Sequence, residues 1–122
     1  MVKDVIVSAM RMAGLDAEAD ALEEDAQTLS DAARRFLRYY DLVVSEIADE
    51  YRRGESPAPA AMSDPEADFY GISPRVLAYG VAAEHFITEG MDEAVTWDGR
   101  YRSALALCSR PPVRVKARSF MR

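Results

Sequence analysis

One stretch, Ser73 to Gly90, restricts this chain to few folds, because it is helix-length and polar on only one narrow side. Ser73 suits an N-cap, Pro74 the first helical position, where its missing N–H is not needed, and Gly90 the left-handed residue past the end. Between them lie Val76, Leu77, Tyr79, Val81, Phe86 and Ile87, while the plainly polar residues are Arg75, Glu84, His85, Thr88 and Glu89. A helix apolar most of the way round is buried. Ala78, Gly80, Ala82 and Ala83 let neighbouring helices approach to the short end of the roughly 8 to 10 Å range. Gly80 lowers helix propensity by about 1 kcal/mol relative to Ala, which close packing must offset. The segment therefore predicts a crowded central helix.

At 122 residues the chain is long enough for one domain with its own core. The single cysteine, Cys108, excludes an intrachain disulfide framework and a multi-cysteine zinc site, and reads as a small apolar filler. Met1 to Gly14 is apolar but broken by Lys3, Asp4 and Arg11, short of the roughly 20 residues that span a bilayer. No small-residue cleavage pattern follows, so it reads as no signal peptide and the protein as soluble and intracellular when made. The net charge of −6 hides an asymmetry: residues 1–109 hold all 21 acids and 10 of the 15 bases, whereas 110–122 hold five bases and no acid. An acidic body, 1–109, thus carries a basic tail, 110–122, a pattern typical of an interaction segment.

Taken in order, Val5, Ile6, Ala9, Met10 and Ala13 predict a short helix from Lys3, ended by Gly14. Asp16 is expected to cap a second helix with Glu18 and Asp20 near its positive end. Its acids lack the glycine turn and ligand order of a calcium loop and read as a solvated face. From Thr28 or Ser30 to Arg53, Leu29, Ala33, Phe36, Tyr40, Val43, Ile47 and Tyr51 recur at steps of three and four, opposite a polar face, and predict a long amphipathic helix stopped by Gly54. Glu55 to Ile72 contains Pro57, Pro59 and Pro65 and cannot be one regular element; Phe69, Tyr70 and Ile72 are expected to tie it to the core. Asp92 is expected to cap a last helix to about Ser109, with Val95, Tyr101, Ala104, Leu105 and Cys108 inward. Trp97 is either core or an exposed aromatic anchor. Beyond Pro111 and Pro112, Val113, Val115 and Ala117 alternate with Arg114, Lys116 and Arg118 and end on Phe120, the pattern of a strand that adds to another chain's sheet or groove. The fold class expected is all-α: a small bundle of about four to five helices with a long central amphipathic helix, a proline-rich loop and an extended basic C-terminal tail.

Catalytic constellations are not visible. The one histidine, His85, sits beside Glu84 on the polar margin of the central helix and reads as structural, and no nucleophile, carboxylate dyad or phosphate-cradling loop stands at recognisable spacing. A helical di-metal site needs at least two histidines. No cofactor or metal is therefore expected. The tail admits two uses: phosphate contacts on nucleic acid, with Phe120 stacking, or docking on an acidic or β-edge protein surface.

The run YGISPRVLAYGVAAEHFITEGMDEAVTWDGRYRSAL, followed by a short basic tail with an aromatic near its end, resembles small proteins of tailed phages and prophages. The long helix RFLRYYDLVVSEIADEY, with its VVSEIA core, resembles their N-terminal half. That group is similar to head-tail connector, or adaptor, proteins that bind beneath the portal. The likeness covers about two-thirds of the chain and is weakest in residues 14–28 and 54–68; the ending Ser119-Phe120-Met121-Arg122 departs from a more aromatic tail. It implies a homo-oligomeric ring, commonly dodecameric, in the virion neck between the portal and a head-closure or other neck protein, with DNA only passing through. It also implies portal contacts by Arg114, Val115, Lys116, Arg118 and Phe120, and the proline-rich loop, through Pro57, Pro59, Met62 and Phe69, is expected to supply the neighbour-subunit contacts. The alternative is a small helical DNA-binding or regulatory prophage protein that uses the same tail.

Overall fold

The computed structural model describes residues 1–51, 59–69 and 71–108. These form five helices, α1 (Val2–Met12), α2 (Asp16–Glu24), α3 (Asp31–Tyr51), α4 (Pro74–Thr88) and α5 (Glu93–Cys108), with a single isolated bridge, Phe69 to Ile72, as the nearest thing to a strand. The all-α expectation holds. Among the described residues no helix is long and apolar enough to cross a membrane. The basic tail lies outside the described residues.

Local chemistry sets the helix ends. Ser73 is extended ahead of Pro74 and caps through its backbone conformation, since its hydroxyl makes no capping bond. At the other end of α4, Gly90 N–H donates to Ile87 C=O at 3.1 Å and Met91 N–H to Phe86 C=O at 3.0 Å, with Gly90 at φ +67°. That pair of bonds is a Schellman motif. The same motif closes α1, where Gly14 N–H reaches Arg11 C=O at 3.1 Å and Leu15 N–H reaches Met10 C=O at 2.8 Å. It also corrects the start of α2: Leu15, whose carbonyl accepts from Ala19 N–H at 3.0 Å, takes the N-cap position, and Asp16 is the first helical residue. For α3 the cap is Ser30, whose hydroxyl accepts from Ala33 N–H at 3.1 Å.

Packing places α4 at the centre, in contact with α1, α3 and α5. Leu77, Val81 and Ala82 are fully enclosed, and Val76, Ala78, Ala83 and Phe86 nearly so. Around them α3 buries Ala33, Phe36, Tyr40, Val43 and Ile47, as its periodicity requires, while α1 buries Val2, Val5, Ile6, Ala9 and Met10. Gly80 is where three helices meet: a Cβ there would lie 2.8 Å from the Tyr101 ring of α5 and 3.0 Å from Val43 of α3.

Two inward assignments fail. Ile87 is 48% exposed, because the strip of α4 that carries it runs out past the covering helices. Val95 is 82% exposed; Tyr101, seated against Gly80, sets the rotation of α5, and Val95, six residues earlier, then faces away. Of the expected inner face, Tyr101 and Leu105 are buried, and Ala104 and Cys108 are half-buried. Trp97 is half-buried, stacked on Phe86 at 5.9 Å between centroids, with the Arg100 guanidinium 4.6 Å above its ring.

Gly80→Leu is therefore expected to cost at least about 1–3 kcal/mol by overpacking. Thermal and denaturant unfolding measure this; an unchanged melting curve would remove the three-helix contact from the centre of the fold.

Candidate interaction surface

Of the residues singled out as contacts, Arg114, Val115, Lys116, Arg118, Phe120 and Pro57 lie outside the described residues. Pro59 is exposed, whereas Met62 and Phe69 are buried in this subunit's own core. Backbone hooks explain their burial. The first amides of α1, which have no partner within their helix, donate to the loop: Val2 N–H to Asp64 C=O at 2.8 Å and Lys3 N–H to Met62 C=O at 3.1 Å. From the other side, Ala60 N–H donates to the Asp41 carboxylate at 3.0 Å and Ala67 N–H to the Tyr40 hydroxyl at 2.7 Å. Residues 59–69 are sewn between α1 and α3, so a neighbour would meet exposed residues such as Pro59, Ser63, Pro65 and Asp68 here, not Met62 or Phe69.

A hollow of about 610 Å³ between this loop and the start of α3 is lined by Leu29, Leu37, Ala26 and Met62, with Lys3, Gln27 and Ser63 as its polar groups. Nothing in that lining pairs an acid with a base or nucleophile. Among the described residues no group of His, Cys, Asp and Glu side chains is placed to hold a metal ion.

His85 is not on a polar margin: it is 6% exposed. Its ring lies 5.1 Å from that of Phe36, 5.3 Å from Phe86 and 6.5 Å from Tyr39. Burial among these rings lowers its pKa below the ordinary value; Glu89 pulls the other way, and Arg35 adds to the lowering. The neutral imidazole is therefore the folded form at pH 7. His85 Nδ1, the Tyr39 hydroxyl and Arg35 Nε are all buried with no hydrogen-bond partner among the described residues.

A different surface has the makings of a binding site, and periodicity alone did not reveal it. Gly80, Glu84 and Ile87 form one strip of α4, and burial falls along it from Gly80 through half-buried Glu84 to exposed Ile87. On the α3 side the matching strip is Tyr39, Leu42 and Glu46; on the α5 side it is Val95, Asp98 and Arg102. The strips are tied together at Arg102, whose guanidinium reaches Glu46 at 3.2 Å and Asp98 at 3.4 Å. Leu42, Ile87 and Val95 are 56%, 48% and 82% exposed, so each of the three strips carries one large exposed apolar side chain. Surface residues of this kind are unremarkable singly, but grouped they mark interaction sites.

The same face gathers three carboxylates, Glu46, Glu84 and Asp98. Arg102 pairs with Glu46 and Asp98 and also acts on Glu84, so three carboxylates share this guanidinium. Burial, and then the neighbouring Glu46 and Asp98, raise the Glu84 carboxyl above its ordinary value against the opposing pull of Arg102. A carboxyl with a raised folded pKa binds protons more tightly in the folded state, so stability falls as pH rises through the window above 4.5. Glu84→Gln is accordingly expected to melt higher than the wild type at pH 7 and to lose that advantage as pH falls to about 4; an equal advantage at both pH values would contradict the assignment.

Comparison of the chain with protein-family models, curated proteins and solved structures finds no match.

Proposed function

We propose that this chain is a structural, non-enzymatic virion protein: a head-tail connector, or adaptor, subunit that forms a ring beneath the portal and joins head to tail for DNA passage. The observation that carries the reading is the likeness of residues 35–51 and 70–105 to small proteins of tailed phages and prophages, a group similar to head-tail connectors. Those segments include most of α3, all of α4 and α5 as far as Leu105, the helices that meet at Gly80. A ring, commonly of twelve, would place Arg114, Val115, Lys116, Arg118 and Phe120 against the portal and a head-closure or other neck protein below. The acidic balance of residues 1–109 supports DNA transit, because a negative wall repels the phosphate backbone.

One feature favours a second reading: five bases without an acid in residues 110–122 also suit phosphate contacts in a small DNA-binding or regulatory prophage protein. The two readings separate in intact particles. Quantitative mass spectrometry of purified tailed particles from the source element is expected to find this chain at copy-number parity with the portal. Its absence from such particles, together with DNA affinity that falls steeply with salt, would overturn the connector reading.

A further inference from the structure

We propose that the α3–α4–α5 face is the docking site for residues 110–122 of a second copy of this chain. The face offers an apolar centre, Leu42, Ile87 and Val95, beside three carboxylates that share one guanidinium. Its complement is a short segment that is apolar along one edge and basic along the other. Residues 113–118 have that pattern, with Val113, Val115 and Ala117 alternating with Arg114, Lys116 and Arg118, and no acid lies between Arg110 and the end of the sequence. In an extended chain such alternation turns the two sets of side chains to opposite sides. Apolar residues would then rest on Leu42, Ile87 and Val95 while the bases reach Glu46, Glu84 and Asp98.

Dimensions agree. Six extended residues at about 3.3 Å each span about 20 Å. Crossing from α3 over α4 to α5 covers two interhelical distances of about 8–10 Å, about the same length. The mode of binding is main chain laid across the three strips with alternate side chains read out, and the carboxylates gathered around Glu84 supply the electrostatic preference.

The choice of a second copy over the chain's own segment rests on the ring reading. Donor segment and acceptor face are different surfaces, so the contact is heterologous and repeats from subunit to subunit until it closes. In an assembled neck the portal would compete with the neighbour for the same segment.

The test uses two full-length variants and sedimentation velocity. Ile87→Arg disables the acceptor at an exposed position, and R114E/K116E/R118E disables the donor; circular dichroism confirms that both stay helical. The wild type is expected to self-associate, less so at high salt, and each variant alone to remain monomeric. An equimolar mixture of the two is expected to form a one-to-one dimer and nothing larger, because only one intact donor and one intact acceptor remain. A monomeric wild type, as an intramolecular dock would give, overturns the proposal, as does a donor variant that associates like the wild type or a mixture that fails to pair. A wild type monomeric in solution but present at portal parity in particles would sink this inference and leave the connector reading standing. Association of the wild type without incorporation in particles would do the reverse.

Discussion

The close approach at Gly80 decides how the rest of the molecule is arranged. A residue without a side chain lets Val43 of α3 and the Tyr101 ring of α5 occupy the space a Cβ would take, at 3.0 and 2.8 Å. The local loss, about 1 kcal/mol of helix propensity, is smaller than the gain from burying a single large apolar side chain, about 1.5–3 kcal/mol. Here it permits burial of two, Val43 and Tyr101, each 2% exposed. Once Tyr101 is seated, the rotation of α5 is set, and with it the outward position of Val95 and Arg102.

Polar groups take their roles from where the same strip of α4 leaves the core. Glu84 lies at the edge, half-covered and facing Glu46 and Asp98; His85, one residue on, turns inward among Phe36, Tyr39 and Phe86. Neighbouring positions thus hold a carboxyl whose pKa burial raises and an imidazole whose pKa burial lowers. A second guanidinium is shared between α1 and α2. Arg11 bonds Asp20 at 2.8 Å and Glu23 at 2.7 Å, bridging α1 to α2. These exposed pairs contribute little to stability. What they leave is a body of net negative charge, against which a basic segment has a defined electrostatic preference.

Much of the helical framework was legible because its signals were local. Glycines 14 and 90 sit at helix ends as their conformational freedom suggests, Ser30 caps α3, and the three-four spacing of Phe36, Tyr40, Val43 and Ile47 describes the buried face. Phase was harder wherever a helix lacks a single polar side. Ile87 looks like core because α4 is apolar nearly all round, and Val95 looks like core because the two faces of α5 are similar in composition; a partner helix, not periodicity, settles which side is covered. Met62 and Phe69 suggested a loop free to meet neighbours, since nothing in a proline-rich stretch shows that α1 amides, Asp41 and Tyr40 will hold it. The α3–α4–α5 face was invisible for the same reason, since it combines residues 42, 87 and 95 from three elements.

Hydrogen exchange of the native full-length chain, read residue by residue, tests most directly whether the molecule is organised around α4. Amides from Leu77 to Phe86 are expected to be the slowest in the protein, opening only with global unfolding, while those of α2, with only Ala19 and Leu22 buried, exchange through local opening. Exchange of the α4 amides as fast as those of α2 would contradict a fold built on the contact at Gly80.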